Sequence, residues 1–226
     1  MRGRKKIIWL GLIAFWIYFF LEIATDILFS SKYPGYNWKT QSLSYLGQSG
    51  SPIESWVSLW GILFSVLLSI FVLAFYQSYP SNRWVKLAAF SLLIYALGEG
   101  IGSGCFPIDP PGAILSLNGR LHNVFGGIGD AGIVLLPFWL MLMFPRNENR
   151  KLRAFLWAVV SAGTTMAILF LIAKYYKPDN FILAYKGAWQ RIYTFNYDLM
   201  LLVISLKMLH QMNRTGSDRI KKERLF

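Results

Sequence analysis

Six long blocks of mostly apolar residues run through this 226-residue chain, and no other feature restricts its fold so tightly. A helix needs roughly 20 apolar residues to cross a hydrocarbon layer about 30 Å thick. Irregular backbone cannot face lipid, because its polar groups would stay unpaired. Apolar residues gathered into runs, instead of alternating with polar ones, therefore predict a bundle in a bilayer and not a water-soluble core. The blocks extend from about Ile7 to Phe29, Ser55 to Gln77, Trp84 to Phe106, Arg120 to Phe144, Arg153 to Lys174 and Ala188 to Gln211. The expected fold is an all-α polytopic membrane protein: six transmembrane helices in one bundle, forming a single domain over residues 1–226. Gly98, Gly100, Gly102 and Gly104 interrupt the third block, and Gly126, Gly127 and Gly129 the fourth. Both are still read as spans, with the glycines allowing close helix packing or leaving room for a ligand.

A formal net charge of +12 raises the question of nucleic acid, and the placement of the charge answers it. With the N-terminus inside, 16 of the 23 Lys and Arg residues fall on the inner side, at Arg2 to Lys6, Arg83, Lys86, Arg146 to Arg153 and from Lys207 onwards. This bias predicts cytoplasmic N- and C-termini in a multi-pass cell-membrane protein, with the longer loops on the non-cytoplasmic side. Nucleic acid is not expected as a partner. Membrane lipids are, and the basic C-terminal tail serves either as a topology determinant or as a contact for anionic lipid. The first block is too long for a cleaved signal, and the stretch from Asp26 to Ser31 lacks a small-residue cleavage pattern, so it reads as an uncleaved anchor. Cys105 is the only cysteine, which excludes an intrachain disulfide and a cysteine-cluster metal site.

The connections expected inside are short, at Ser78 to Arg83 and Pro145 to Leu152, whereas those expected outside are longer: Ser30 to Glu54, Pro107 to Gly119 and Tyr175 to Gly187. The first of these interleaves Tyr33, Tyr36, Trp38 and Tyr45 with turn formers, a composition suited to the membrane interface or to capping the bundle. Four motifs occur in order: Tyr33-Pro34-Gly35-Tyr36 with Ser42-Leu43-Ser44-Tyr45-Leu46-Gly47, then Cys105-Phe106-Pro107-Ile108-Asp109, then Gly119-Arg120-Leu121-His122-Asn123, then Gly187-Ala188-Trp189-Gln190-Arg191. Together they resemble the bacterial and archaeal membrane family known as domain of unknown function 998, over nearly the whole chain. The resemblance implies a six-helix membrane fold, distantly similar to Frag and DRAM-type membrane proteins, and carries over no activity. Its motifs fall here on Ser44, Asp109, His122, Asn123 and Arg191.

Acidic residues inside the spans are the informative part. Glu22, Asp26, Glu99, Asp130 and Asp198 all lie within apolar blocks, where a charge costs several kcal/mol unless it faces the bundle interior, a partner or a wet cavity. The expected topology puts Glu22, Asp26 and Glu99 in the outer half, Arg120, His122 and Arg191 near the outer surface, and Asp130 and Asp198 nearer the middle. Helical spacing places Glu22 with Asp26, Asn123 with Asp130, and Arg191 with Asp198 on shared faces. Arg191 and Asp198 are about 10 Å apart along the axis, so each needs a partner from another helix. Candidates are Asp109, Glu22, Asp26 and Glu99 for Arg191, and Asn123 or Tyr95 for Asp198.

The expectation is an outward-facing polar pocket built from Glu22, Asp26, Glu99, Asp109, His122, Asn123, Asp130, Arg191 and Asp198, binding a lipid head group or another small anionic or amphipathic ligand. Arg191 and His122 would hold an anionic group there. Two other classes stay open. An intramembrane lipid hydrolase would use Ser44 with His122 and an aspartate such as Asp109, although no Gly-x-Ser-x-Gly elbow is present. An ion-coupled transporter would need a polar track through the whole bundle. The two histidines, His122 and His210, sit at opposite ends of the bundle in this topology, so no zinc or haem site is expected and no cofactor is implied.

Overall fold

The computed structural model describes residues 2–175 and 184–223. Most of the connection expected from Tyr175 to Gly187, including Lys177, lies outside the described residues. The described elements are α1 (Arg2–Lys32), a one-turn α2 (Leu43–Leu46), α3 (Glu54–Ser78), α4 (Arg83–Tyr95) continuing into a π-helical segment (Ala96–Ser103), α5 (Leu117–Met143), α6 (Arg150–Tyr175) and α7 (Lys186–Glu223). Among the described residues six helices are long and apolar enough to cross a membrane, as the blocks predict, with α4 and the π segment together making the third.

Local sequence sets where the helices begin. Asn82 starts α4 by accepting from the backbone N–H groups of Trp84 and Val85 at 2.9 and 3.0 Å, and Ser116 starts α5 by accepting from Gly119 N–H at 3.1 Å. Each cap gives a partner to a helix-end donor that the helix itself leaves open.

The bundle is assembled from pairs. α1 packs along α3, α4 and its π continuation along α5, and α6 along α7, while α3 also holds the π segment. The core between α1 and α3 is aromatic: Phe15 meets Phe71 with ring centroids 4.8 Å apart, and Tyr18 meets Phe64 edge-on at 5.2 Å. Phe64 in turn meets Tyr95 of α4 at 5.6 Å. Leu136 and Leu140 of α5 and Met200 and Ile204 of α7 complete the buried core. α6 has the smallest buried share of the six spans and touches α5 only lightly.

The π segment explains two features of the sequence. A Cβ at Gly98 would lie 2.7 Å from the Cα of Gly129, so these two glycines let α5 approach main chain to main chain. The Ser65 hydroxyl of α3 also enters the widened turn, donating to the Ala96 carbonyl at 2.6 Å and accepting from the Ile101 N–H at 2.9 Å. One side chain thus bonds a carbonyl and an N–H that lie five residues apart in the widened turn.

Candidate functional site

A cavity of about 580 Å³ lies at the end of the bundle that carries the long loops. Its apolar walls come from Phe64 of α3, Ile133 and Val134 of α5, and Ala167 and Phe170 of α6. Leu43 and Ser44 of α2 and Gln190 of α7 close one side. The wall also includes Asn123, Gly127, Asp130, Leu171 and Lys174, all exposed, so the cavity opens between α5 and α6.

Three carboxylates stand in this wall, from three different elements. Glu22 accepts from the Trp60 indole N–H at 3.0 Å, and Asp130 accepts from the Tyr193 hydroxyl at 2.9 Å. Glu99 receives a longer contact from the Ser103 hydroxyl at 3.3 Å, while that hydroxyl bonds more closely to the Glu99 carbonyl at 2.5 Å. Nearby, Lys174 donates to the Asn123 side-chain oxygen at 3.1 Å, tying α6 to α5 at the opening.

His122 also lines the cavity, and its chemistry is fixed by its neighbours. Its Nδ1 lies 2.9 Å from the Ser103 carbonyl and 2.8 Å from the Phe106 carbonyl. Both partners only accept, so Nδ1 carries the proton. The ring therefore supplies a donor to backbone carbonyls left open where the π segment ends.

Arg191 is placed otherwise than expected. Its guanidinium grips Asp26 through both carboxylate oxygens, at 2.6 and 2.8 Å, and also donates to the Tyr36 hydroxyl and the Trp38 carbonyl, each at 2.9 Å. Neither Arg191 nor Asp26 lines the cavity. They bind the first long loop to the start of α7 instead. The Ala188 N–H donates to the Lys39 carbonyl at 3.0 Å, and the Leu43 N–H donates to the Gln190 side-chain oxygen at 2.7 Å. A Cβ at Gly187 would fall 2.0 Å from the Gln41 carbonyl oxygen, so only glycine lets the loop sit this close. The tyrosines of the loop stack on one another, Tyr33 on Tyr36 and on Tyr45 at 6.0 and 5.6 Å. Burial pushes the Tyr36 hydroxyl above its usual pKa, with Arg191 opposing the rise.

Asp198 and Asp109 also stand apart from the cavity wall. Asp198 is 3% exposed and accepts from the Tyr18 hydroxyl at 2.5 Å, in place of the Tyr95 or Asn123 partner that spacing suggested. Asp109 accepts from the Ser116 N–H at 2.9 Å. Hydrogen bonding from the Ser116 hydroxyl and N–H holds its carboxyl below the usual carboxylate range. Among the described residues no hydrogen bond joins Ser44 to His122, although both line the cavity, and Asp109 is occupied by Ser116. The serine, histidine and aspartate of the hydrolase reading are thus not assembled.

Of the expected pocket set, the structure brings together Glu22, Glu99, His122, Asn123 and Asp130, with Ser44, and leaves out Asp26, Asp109, Arg191 and Asp198. Sequence reasoning missed Tyr18, Trp60, Lys174 and Tyr193. A signal for one was present: Tyr18, Glu22 and Asp26 recur every four residues and form a polar stripe on an otherwise apolar helix.

These features define a multi-pass helical membrane protein with a polar cavity walled by its helices. The chain belongs to the family described as "Protein of unknown function (DUF998)", whose sequence model matches residues 10–207. Comparison with curated proteins and with solved structures found no match.

Proposed function

We propose that this protein binds an amphipathic ligand, such as a membrane lipid, in the cavity between its helices, as a single six-helix unit with both termini in the cytoplasm. The observation that carries this reading is the cavity itself: about 580 Å³, apolar along Phe64, Ile133 and Phe170, polar at Glu22, Glu99 and Asp130, and open beside α6. That volume falls within the roughly 300–1,000 Å³ typical of small-molecule sites. A ligand with one polar end and one apolar end satisfies both kinds of wall. Entry between α5 and α6 would draw it from the bilayer.

Chemistry on the ligand has less support, because the hydrolase residues are not joined. Transport across the whole bundle has less as well. Beyond Asp198 the buried side chains of α7 among the described residues are Met200, Leu201, Ile204, Ser205, Met208 and Met212, and the hydroxyl of Ser205 is turned to the Leu202 carbonyl of its own helix, so they offer little to an ion.

Filling the cavity tests the proposal. Ala167→Trp places an indole where α6 lines the space. Protein purified in mild detergent and analysed by mass spectrometry is expected to carry lipid at near one equivalent in the wild type and at a small fraction of that in the variant. Equal lipid content in two equally folded proteins would overturn the reading.

A further inference from the structure

The cavity wall is unequal in what it offers a ligand. Three of its side-chain donors face its own acids: the Trp60 N–H bonds Glu22, the Tyr193 hydroxyl bonds Asp130, and the Ser103 hydroxyl makes its longer contact with Glu99. In each acid only one carboxylate oxygen receives a side-chain hydrogen bond, and the other carries none among the described residues. The guanidinium that sequence analysis assigned to an anion is held by Asp26 and Tyr36 outside the cavity. An anionic group entering here would meet three carboxylates, with Arg191 held elsewhere and only Lys174, which donates to Asn123 at the opening, set against them among the described lining residues.

Aromatic rings supply a second, separate indication. Trp60, Phe64, Tyr95, Phe170, Tyr193 and Tyr197 all line the space beside those acids. Aromatic faces attract organic cations and are the recurring means of holding ammonium groups. A bare metal ion fits the wall poorly, since among the described residues no three His, Cys, Asp or Glu side chains converge.

We propose, building on the cavity reading above, that the ligand's polar end is an organic ammonium group. It sits among Glu22, Glu99 and Asp130 and against the rings of Trp60, Tyr193 and Tyr197, and its apolar chain runs along Phe64, Ile133 and Phe170. A zwitterionic lipid head and a free alkylammonium share this chemistry.

Three probes with the same decyl chain separate the possibilities: decylammonium, decyltrimethylammonium and decyl sulfate, titrated by calorimetry into full-length protein in a neutral maltoside detergent. At least one ammonium probe is expected to bind about tenfold or more tightly than the sulfate, which corresponds to about 1.4 kcal/mol. Glu99→Gln and Asp130→Asn are each expected to weaken the ammonium several-fold and to leave the sulfate unchanged or improved. Equal binding of ammonium and sulfate, or a preference for sulfate, overturns the ammonium assignment while leaving the cavity reading intact. Failure of all three probes, with Ala167→Trp retaining as much lipid as the wild type, overturns both. The comparison of probes on the wild type needs no variant, so a misfolded carboxamide variant does not remove the test. Repeating it in nanodiscs distinguishes the sources. Competition by phosphatidylethanolamine, absent with phosphatidylglycerol alone, assigns a lipid head, and its absence assigns a free alkylammonium.

Discussion

Arg191 uses all three of its side-chain nitrogens: Nε and Nη2 on Asp26, Nη2 also on the Tyr36 hydroxyl, and Nη1 on loop and helix carbonyls, including those of Trp38 and Gly187. A lysine has the charge but not the fork, so Arg191→Lys would keep one contact and abandon the others. Hydrogen bonds to charged groups are worth about 1.5–3 kcal/mol each, and this pair is mostly shielded, at 14% and 28% side-chain exposure. The expected result is faster backbone hydrogen exchange across residues 36–47, by roughly tenfold or more, with the far end of the bundle unaffected. Unchanged exchange in that loop would show that the grip does not hold it. Part of this was legible in the sequence, because a charge in an apolar block has to find a partner and Asp26 was among the candidates. The choice of Asp26 over Glu22, four residues away, was not. It depends on where Trp60 of another helix stands, and spacing within one helix carries no such information.

Element ends were read closely from the sequence, since hydropathy changes sharply where lipid stops. The third block starts and ends within a few residues of the observed span. What hydropathy does not register is hydrogen-bond register, and so the π segment from Ala96 to Ser103 went unforeseen despite its glycines. The hydroxyl that bridges the widened turn comes from Ser65, far away in the chain. Ser65→Ala would leave the Ala96 carbonyl and the Ile101 N–H without that partner in a buried place, at a cost of about 1–3 kcal/mol each if neither finds another. The expected outcome is a lower thermal midpoint and faster exchange at Ile101, with Ser65→Thr less harmful than alanine only if its extra methyl is tolerated beside Gly100. A midpoint and exchange rate equal to those of the wild type would mean that the turn holds itself open without Ser65.

At the scale of the whole molecule the sequence foretold six spans, but not which of the acids within them line one space. Membership of the cavity depends on helix rotation, which four-residue spacing constrains within a helix and leaves free between helices. The charge bias also bears on the whole molecule. With Cys105→Ser as background, Ser49→Cys in the loop before α3 is expected to react with an impermeant thiol reagent on intact cells. Asn147→Cys between α5 and α6 is expected to react only after the membrane is opened. Both positions are exposed, and Ser49 avoids the left-handed backbone of neighbouring Gly50 at φ +80°. The reverse pattern would invert the proposed orientation. The π segment has a geometric consequence at this scale too. Its span has 21 residues against 25 to 30 in the others. As a pure α-helix it would reach about 31 Å, and turns that use more residues each rise less. It has no length to spare for inclination, so in a bilayer about 30 Å thick it must stand close to the normal or draw the lipid thinner beside it.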